Sequence, residues 1–506
     1  MNKLLDKITK RFYLRIQENI LLVFCISLYF IIEFARSVGR GYNTDGVTYA
    51  TLARNLSVNV GTFWKPHYTN SCLNVFWEHP PFTLYFQSLL FRLIGDTTFT
   101  EFLWGVLMGL GVIIFIILFW KELIKLVDNK TNLNVSDNRS VWIPILLFIS
   151  IPMVAWSYSN NLLENTMSLF STASAYFITK AIRHTVTPGK EPTSLLYAFI
   201  CGIMLWLGLF TKGFPSLFPL AIPVFSFFIF RKVKLTRVIV VTFVALFGLA
   251  IFTLFTYLLS GKDFLEFSKF YLNSQILLSI KGQRGGIPTS KFFLVKRLAS
   301  ELIVPFFVAL VVYVIAQLVD AKKSFSFSRG FFFTLIIALS ASVPLFFVPK
   351  QMVWYLVPSL PFYVIAIAVL IKSCNEPIER FLYTKNIRVN VLVWLSVLCL
   401  MVSFISVVFF REAIIPKYRN PSFYHDMLLN NSTLPTRVDV LVCPKDLMTN
   451  FGLVALMARH YQISFSLKKE KYAFVEINDP ECATIVNACK LINMKPEKYG
   501  FLDCKI

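Results

Sequence analysis

The stretch PFTLYFQSLLFRLIG, residues 81–95, is strongly apolar, yet it is too short to cross a membrane as a helix. At ~1.5 Å per residue it reaches about 22 Å, whereas the hydrocarbon core of a bilayer is about 30 Å thick. Pro80 and Pro81 stand at its start and Gly95 at its end, which is the order of residues that begins and stops a helix. The stretch therefore predicts an interfacial helix that lies on a membrane.

The chain as a whole has the composition of a membrane protein. Its 506 residues are 56% hydrophobic and 15% charged, with a mean hydropathy of +0.63, whereas a soluble domain carries about 25% charged residues. The net charge of +22 does not indicate nucleic-acid binding, because Lys and Arg cluster in short loops between apolar segments. No small-residue cleavage site follows the first apolar segment, which favours a retained span over a removed signal peptide.

Eleven segments are apolar and long enough to predict membrane spans, two of them on the short side. If residues 81–95 do not cross, six segments that contain 23 Lys and Arg lie on one side, which the positive-inside rule assigns to the cytoplasm. The loops 37–100 and 261–298 and the tail from 411 then lie outside. The predicted spans are 19–36, 101–120, 141–157, 163–182, 195–211, 215–230, 238–260, 299–320, 330–348, 352–371 and 389–410.

The tail predicts a small α/β domain over 412–506, after a transmembrane domain over 1–411. Its predicted strands and helices are 437–443, 462–467 and 472–478, then 446–461 and 479–494. Four of its cysteines allow three disulfide pairings. A helix over 479–494 would place Cys482 and Cys489 about 10.5 Å apart along its axis, beyond the roughly 7 Å limit for a disulfide, so these two should not bond.

A second helix is predicted in the first outer loop, at TDGVTYATLARNL, residues 44–56. Thr44 is placed to cap it, and Asp45 stands in its first turn. Residues 49, 52, 53 and 56 are apolar and share one face. Asp45 taken alone is explained by the helix dipole, which an acid at this position complements by about 0.3–1 kcal/mol.

Several more ionisable residues stand at the predicted outer ends of spans. Each one alone could be an end residue whose long side chain reaches the membrane surface. Together they predict a functional site at the outer face, since ionisable residues at membrane depth are functional by default. They are Glu78, His79, Glu164, Lys212 and Lys350.

Five motifs resemble those of the GT-C glycosyltransferases, in the branch of the lipid A aminoarabinose transferase and the protein O-mannosyltransferases. TDGVTYATLARNL and FWEHPPFTLYFQSLLFRLIG resemble the first outer loop of that branch. ENTMSLF, LFTKGFP and PKQMVWYLVPSLPFYVIA are similar to three motifs downstream, so the likeness runs over residues 20–370. Gly46 departs from the pattern, because the family has a second acid there, and His79 replaces a lysine of the aminoarabinose branch.

The resemblance implies an all-α polytopic bundle of about eleven transmembrane helices with two interfacial helices in the first outer loop. It implies a glycosyltransferase that takes a sugar from a polyprenyl phosphate, with inversion. Asp45 would be the general base, and Glu78 would orient the acceptor or, with His79, bind a metal. The residues that would bind the donor phosphate or substrate are His79, Glu164, Lys212, Lys281, Arg284, Lys350 and Tyr355.

The expected partners are the donor lipid, a glycolipid, lipopolysaccharide or glycan acceptor, and membrane lipids, with the protein in the inner membrane. No cofactor is certain, and a divalent metal is one alternative. Lys281 and Arg284 lie in the loop 261–298, which is either a solvated lid or a lid over an anionic lipid head.

Two other classes of function stay open. One is a lipid or sugar transporter or flippase, which would have matching halves with broken helices; no such halves are evident. The other is a non-catalytic assembly subunit with a related fold.

Overall fold

The computed structural model describes residues 19–40, 43–130, 132–283, 285, 288, 290, 292–320, 327–384, 386–410, 435–492 and 499–504. Up to residue 410 the regular secondary structure of the described chain is helical, apart from an isolated bridge between Gly61 and Pro66. Its α-helices are α1 (Ile20–Arg40), α2 (Thr44–Ser57), α3 (Phe82–Ile94), α4 (Thr98–Asp128), α5 (Val135–Arg139), α6 (Trp142–Ile149), α7 (Pro152–Tyr158), α8 (Leu163–Thr185), α9 (Glu191–Lys212), α10 (Ile222–Ile229), α11 (Leu235–Ser260), α12 (Lys262–Phe270), α13 (Leu278–Ile280), α14 (Phe293–Val319), α15 (Arg329–Phe346), α16 (Leu360–Leu370), α17 (Asn375–Tyr383) and α18 (Asn386–Phe410).

Shorter helical turns of other types connect these helices. The 3-10 helices are Phe214–Ala221, Val353–Ser359 and Lys372–Cys374, and a π-helix covers Tyr271–Leu277. All eleven predicted spans coincide with helices, so the polytopic all-α bundle is confirmed. Within the described residues, seven helices are long and apolar enough to cross a membrane, or eight if α5, α6 and α7 form one bent span.

The predicted span 141–157 is broken. The chain turns by 81° between Val135–Ile149 and Pro152–Tyr158. Pro152 has no backbone N–H and forces the preceding residue away from helical geometry, and Ile151 accordingly has an extended backbone with φ −72° and ψ 123°. Glu301 accepts a hydrogen bond of 2.7 Å from the backbone N of Met153, so a carboxylate satisfies an amide at the start of α7.

The described chain divides into two compact units. The bundle unit comprises residues 1–36, 105–159 and 163–409, and the loop–tail unit comprises 37–104, 160–162 and 410–506. This division differs from the linear boundary predicted at residues 411 and 412. The first outer loop packs with the tail, because buried ion pairs join them, as described below.

Helices α2 and α3 pack on each other in the loop–tail unit through Ala50, Ala53 and Phe91. The predicted apolar face of α2 is buried, with Leu52 fully inaccessible. The burial extends further than one face, since every residue from Gly46 to Leu56 except Thr48 is buried. Helix α2 is therefore a core helix of its unit, whereas its sequence predicted a helix with one apolar side.

A five-stranded sheet forms the tail, with strand order β2-β1-β3-β5-β4. β1 is parallel to β2 and β3, and β5 is antiparallel to β3 and β4. The strands are β1 (Asp439–Cys443), β2 (Ser464–Ser466), β3 (Tyr472–Glu476), β4 (Lys490–Leu491) and β5 (Tyr499–Asp503). The three predicted strands are confirmed.

The predicted helices of the tail are only partly correct. The first region is a 3-10 turn (Lys445–Thr449), α19 (Phe451–Leu456) and a π-helix (Met457–Tyr461). The second ends early: α20 covers Ala483–Ala488, and residues 490–491 form β4 instead, because Lys490 and Leu491 pair with β5. The disulfides are Cys443–Cys482 and Cys489–Cys504, so the expected absence of a 482–489 bond is confirmed.

Candidate active site

Lys212, the last residue of α9, forms an ion pair with Glu164 in the first turn of α8. The Glu164 side chain is fully buried and that of Lys212 is 9% exposed. Helices α8 and α9 pack along each other, and Ser194 of α9 donates a hydrogen bond of 2.9 Å to the carbonyl of Ala181 in α8. A buried lysine is costly without a partner of opposite charge, and Glu164 is that partner here.

Tyr355 completes this group. The Lys212 Nζ atom lies 5.4 Å from the centroid of the Tyr355 ring, within the range of a cation–π contact. Tyr355 stands in the 3-10 helix Val353–Ser359. Three residues predicted from separate motifs are thus together in the bundle unit, and Glu164, Lys212 and Tyr355 are called the lysine cluster below.

Tyr271 holds the turn that follows Lys212, and sequence reasoning missed it. Its hydroxyl donates a hydrogen bond of 3.2 Å to the carbonyl of Lys212. Gly213 has φ +87°, and a Cβ atom there would lie 2.3 Å from that hydroxyl, so the motif needs glycine for both reasons. Tyr271 belongs to the loop 261–298, and no pattern in the sequence distinguishes it from the other aromatic residues of this loop.

Two of the remaining predicted cations stand just after other helices of the bundle unit. Lys350 is half-exposed in the bend after α15, and it has interaction partners of its own. Lys281 is exposed just after α13, and it forms no ion pair with another described residue. Arg284 lies outside the described residues.

Asp45 is half-buried in the first turn of α2, in the loop–tail unit. The expected cap at Thr44 is wrong, because the helix starts at Thr44 and Asn43 occupies the cap position without a side-chain cap bond. The backbone N of Asn43 instead donates to Oδ1 of Asn160, at 2.6 Å. Asn160 thereby satisfies a backbone donor directly before the helix that carries Asp45.

Asn161 clamps the same end of α2. Its Nδ2 atom donates to the carbonyl of Gly46 at 3.1 Å, and its Oδ1 atom accepts from Nε2 of Gln87 on α3 at 2.7 Å. Asn161 and Gln87 are 3% and 1% exposed. A Cβ atom on Gly46 would lie 3.2 Å from the backbone N of Asn161, which accounts for glycine where the family has a second acid. These asparagines stand in the sequence NNLLENT without a recognisable signal, so sequence reasoning missed them.

His79 lies beside the helical turn that follows Asp45. Its ring packs edge-on against the Tyr49 ring at a centroid distance of 5.8 Å. It also lies tilted against the Phe76 ring at a centroid distance of 6.2 Å. Tyr49 is four residues after Asp45 and therefore on the same side of α2. Burial raises the pKa of the Cys72 thiol, and the nearby Glu78 carboxylate raises it further. Glu78 therefore lies close to Cys72.

A metal ion at Glu78 and His79 would need further donor side chains close to these two residues. Among the residues that the structure describes, no group of three or more His, Cys, Asp or Glu side chains could hold a metal ion. A catalytic zinc ion, for example, is commonly held by three protein ligands. The described donors therefore do not form such a set.

Comparison of the sequence with protein-family models and with curated proteins finds no match. Comparison of the fold does find relatives. The structure of ArnT from Cupriavidus metallidurans bound to undecaprenyl phosphate is similar with a TM-score of 0.59 and 14% identity, covering 94% of this chain and 97% of that chain. The apo structure of the same protein gives a TM-score of 0.56 and 13% identity, covering 94% and 96%.

The chain therefore has the same fold as ArnT, in agreement with the motifs that it resembles. More particularly, it is similar over nearly its whole length to ArnT. A further match is the oligosaccharyltransferase AglB from Archaeoglobus fulgidus in complex with an inhibitory peptide and a dolichol-phosphate, with a TM-score of 0.46, 12% identity and coverage of 93% and 70%.

Proposed function

We propose that this multi-pass membrane protein is a glycosyltransferase that moves a sugar from a polyprenyl-phosphate donor to a hydroxyl or phosphate of an extracytoplasmic glycolipid, lipopolysaccharide or glycan. The observation that carries the proposal is the lysine cluster. A lysine at the end of a membrane helix is paired with one buried carboxylate and lies against an aromatic ring. Such a cation suits the phosphate of a lipid whose tail lies in the membrane.

The proposed reaction is a direct displacement. When the acceptor is a hydroxyl, its oxygen attacks the anomeric carbon while the bond from that carbon to the phosphate oxygen breaks, and the configuration inverts. The Asp45 carboxylate takes the proton that the hydroxyl loses, since a sugar hydroxyl is a weak nucleophile without a base. Polyprenyl phosphate leaves with the electron pair of the broken bond, and Lys212 stabilises its growing negative charge.

The other predicted residues have supporting roles in the proposal. Glu78 orients the acceptor, and His79, Lys281, Arg284 and Lys350 remain candidates for contact with the donor phosphate. A divalent metal at Glu78 and His79 is an alternative role for these two side chains. No step is assigned to it, because the described donors do not form a metal-binding group.

Asp45→Asn tests the proposal. The amide keeps the shape of the carboxylate but cannot take the proton, so transfer in isolated membranes should fall about 10²–10⁴-fold. Donor-lipid binding and protein level should stay close to wild type, because the lost helix-dipole contact costs only about 0.3–1 kcal/mol. Transfer is followed by mass spectrometry of glycolipids and glycans from cells with and without the protein.

Glu191→Gln is the matched control, because Glu191 is also a carboxylate in the first turn of a helix. It should leave transfer unchanged. Full transfer by Asp45→Asn at matched protein level would remove Asp45 from the mechanism. If cells that lack the protein show no change in glycolipids or glycans, while the purified protein binds donor lipid, a transporter or an assembly subunit would be favoured instead.

A further inference from the structure

The loop–tail unit contains a cavity of about 250 Å³ that the reaction described above does not use. It lies between the last turn of α2, the chain segment 58–70 and the starts of strands β1 and β2. Nine of the side chains around it are polar or charged: Arg54, Asn55, His67, Thr69, Asn70, Arg437, Asp439, Gln462 and Ser464. A wall of this composition suits a polar ligand.

The walls of this cavity are held together by hydrogen bonds between distant parts of the chain. The backbone N of Asn70 donates to Ser464 at 3.0 Å, and its side-chain Nδ2 donates to Asp439 at 2.8 Å. Asn55, 8% exposed, donates from Nδ2 to the carbonyls of His67 and Tyr68 at 2.8 and 3.1 Å. The cavity is therefore formed before any ligand arrives, and little ordering of its walls opposes binding.

The charges of the lining favour an anionic group. Two guanidinium groups and the single carboxylate of Asp439 line the cavity, and Arg54 is already paired with Asp96 at 3.5 Å. Arg54 is buried and committed to Asn55 and to the carbonyl of Ala458, both at 2.9 Å. Arg437 is exposed and uses Nε toward Gln462 at 2.7 Å, and its two terminal nitrogens have no recorded partner among the described residues. An exposed guanidinium fork is suited to a phosphate or carboxylate.

We infer that this cavity, called the tail cavity below, binds a sugar unit that carries a phosphate or carboxylate group. Amide and hydroxyl side chains match sugar hydroxyls, because both donate and accept hydrogen bonds. Arg437 binds the anionic substituent. The inference rests on the proposed function, since such a sugar would belong to the glycan part of the acceptor.

The tail cavity is separate from the proposed base. Arg54 follows Asp45 by nine residues on α2, which is ~13.5 Å along the helix axis. A sugar bound there is remote from the bond that forms. A contact that holds the acceptor equally in the ground state and the transition state acts on KM, so loss of this contact should raise KM for the acceptor and leave kcat nearly unchanged.

Binding of small probes to the purified full-length protein tests the tail cavity without depending on transfer. Saturation-transfer NMR would compare glucose 6-phosphate, glucuronic acid, glucose and inorganic phosphate. We expect both anionic sugars to bind in a saturable way and more tightly than glucose or phosphate. Arg437→Gln should weaken their binding at least tenfold, and Asn70→Ala should weaken it as well. Lys468→Gln, a change at an exposed lysine of the same unit that does not line the cavity, should have no effect.

Any one of the following results would overturn the inference. No binding of any probe at up to about 10 mM would exclude an anionic sugar site of useful affinity. Equal binding of phosphate and glucose 6-phosphate would indicate a plain anion site, and equal binding by Arg437→Gln and wild type would place the probes elsewhere. Asp45→Asn should bind the probes normally, so failure of the proposed transfer reaction and failure of the tail cavity are distinguishable.

Discussion

Gly46 is the residue at which this chain departs most clearly from the GT-C motif that it otherwise resembles. The contact with Asn161 supplies the reason. The carbonyl of Gly46 accepts from the Asn161 side chain, and the backbone N of Asn161 leaves only 3.2 Å for a Cβ atom. Asn161 occupies the space beside Asp45 that a second acid would need. Glycine therefore fits the clamp formed by Asn161 and Gln87 without displacing the Asn161 backbone.

Gly46→Asp, which restores the acid of the family motif, should destabilise the protein. Overpacking costs about 1–3 kcal/mol, which exceeds the dipole gain of about 0.3–1 kcal/mol from an acid in the first turn. The melting temperature in detergent should fall by roughly 2–4 °C per kcal/mol lost. Gly46→Ala should show a smaller fall, because alanine adds only the Cβ atom. A Gly46→Asp protein as stable as wild type would contradict the role of the Asn161 contact.

Arg459, in the π-helix Met457–Tyr461, joins the tail to the first outer loop. It is 3% exposed and donates from Nε to Glu101 at 2.7 Å and from Nη1 to Asp96 at 2.6 Å. Arg54 of α2 adds an ion pair with Asp96 at 3.5 Å, and burial lowers its pKa to about 10. Burial, with Arg459 as the second cause, lowers the pKa of His460 to about 3, so this neighbour stays neutral near pH 7. The network explains why the loop and the tail form one compact unit.

Arg459→Met should destabilise the loop–tail unit by about 3–5 kcal/mol, because the buried Glu101 would lose its partner and would have to stay charged without compensation or take up a proton. Thermal unfolding in detergent measures the loss. Adding Glu101→Gln to Arg459→Met should restore part of the stability, since it removes the uncompensated charge. Lys468→Ala, at an exposed position, is the control and should change little. A loss below about 1 kcal/mol for Arg459→Met would mean that the network does not hold the unit together.

The whole molecule is a multi-pass membrane protein whose orientation depends on helix α3. This helix has 13 residues, is one of the shorter apolar helices, and packs against α2 through Phe91 in the loop–tail unit. If α3 does not cross the membrane, the loops rich in Lys and Arg lie in the cytoplasm, as the positive-inside rule requires. If α3 crosses, every later loop changes side.

Reporter fusions test this orientation. Fusions after residues 130, 186 and 325 should report the cytoplasm, and a fusion after residue 430 should report the outside. The reason is the retention of positively charged loops on the cytoplasmic side. A fusion after residue 130 that reports the outside would mean that α3 spans the membrane, and it would place the loop–tail unit on two sides.

Local pattern was sufficient for the helices up to residue 410 and for the first three strands of the tail, because hydrophobic period and span length depend on neighbours in the chain. The motifs gave Glu164, Lys212 and Tyr355 as site residues, which stays a prediction, and did not predict that they touch. Tyr271, the Asn161 clamp, the Arg459 network, the broken span at Pro152 and the choice of disulfide pairs appeared only in the folded chain. Most of these are contacts between residues far apart in sequence, and such contacts depend on how helices and strands pack, which no local period encodes. Gly46 shows the difference: its sequence position marks a departure from a motif, and only its distance to Asn161 explains the departure.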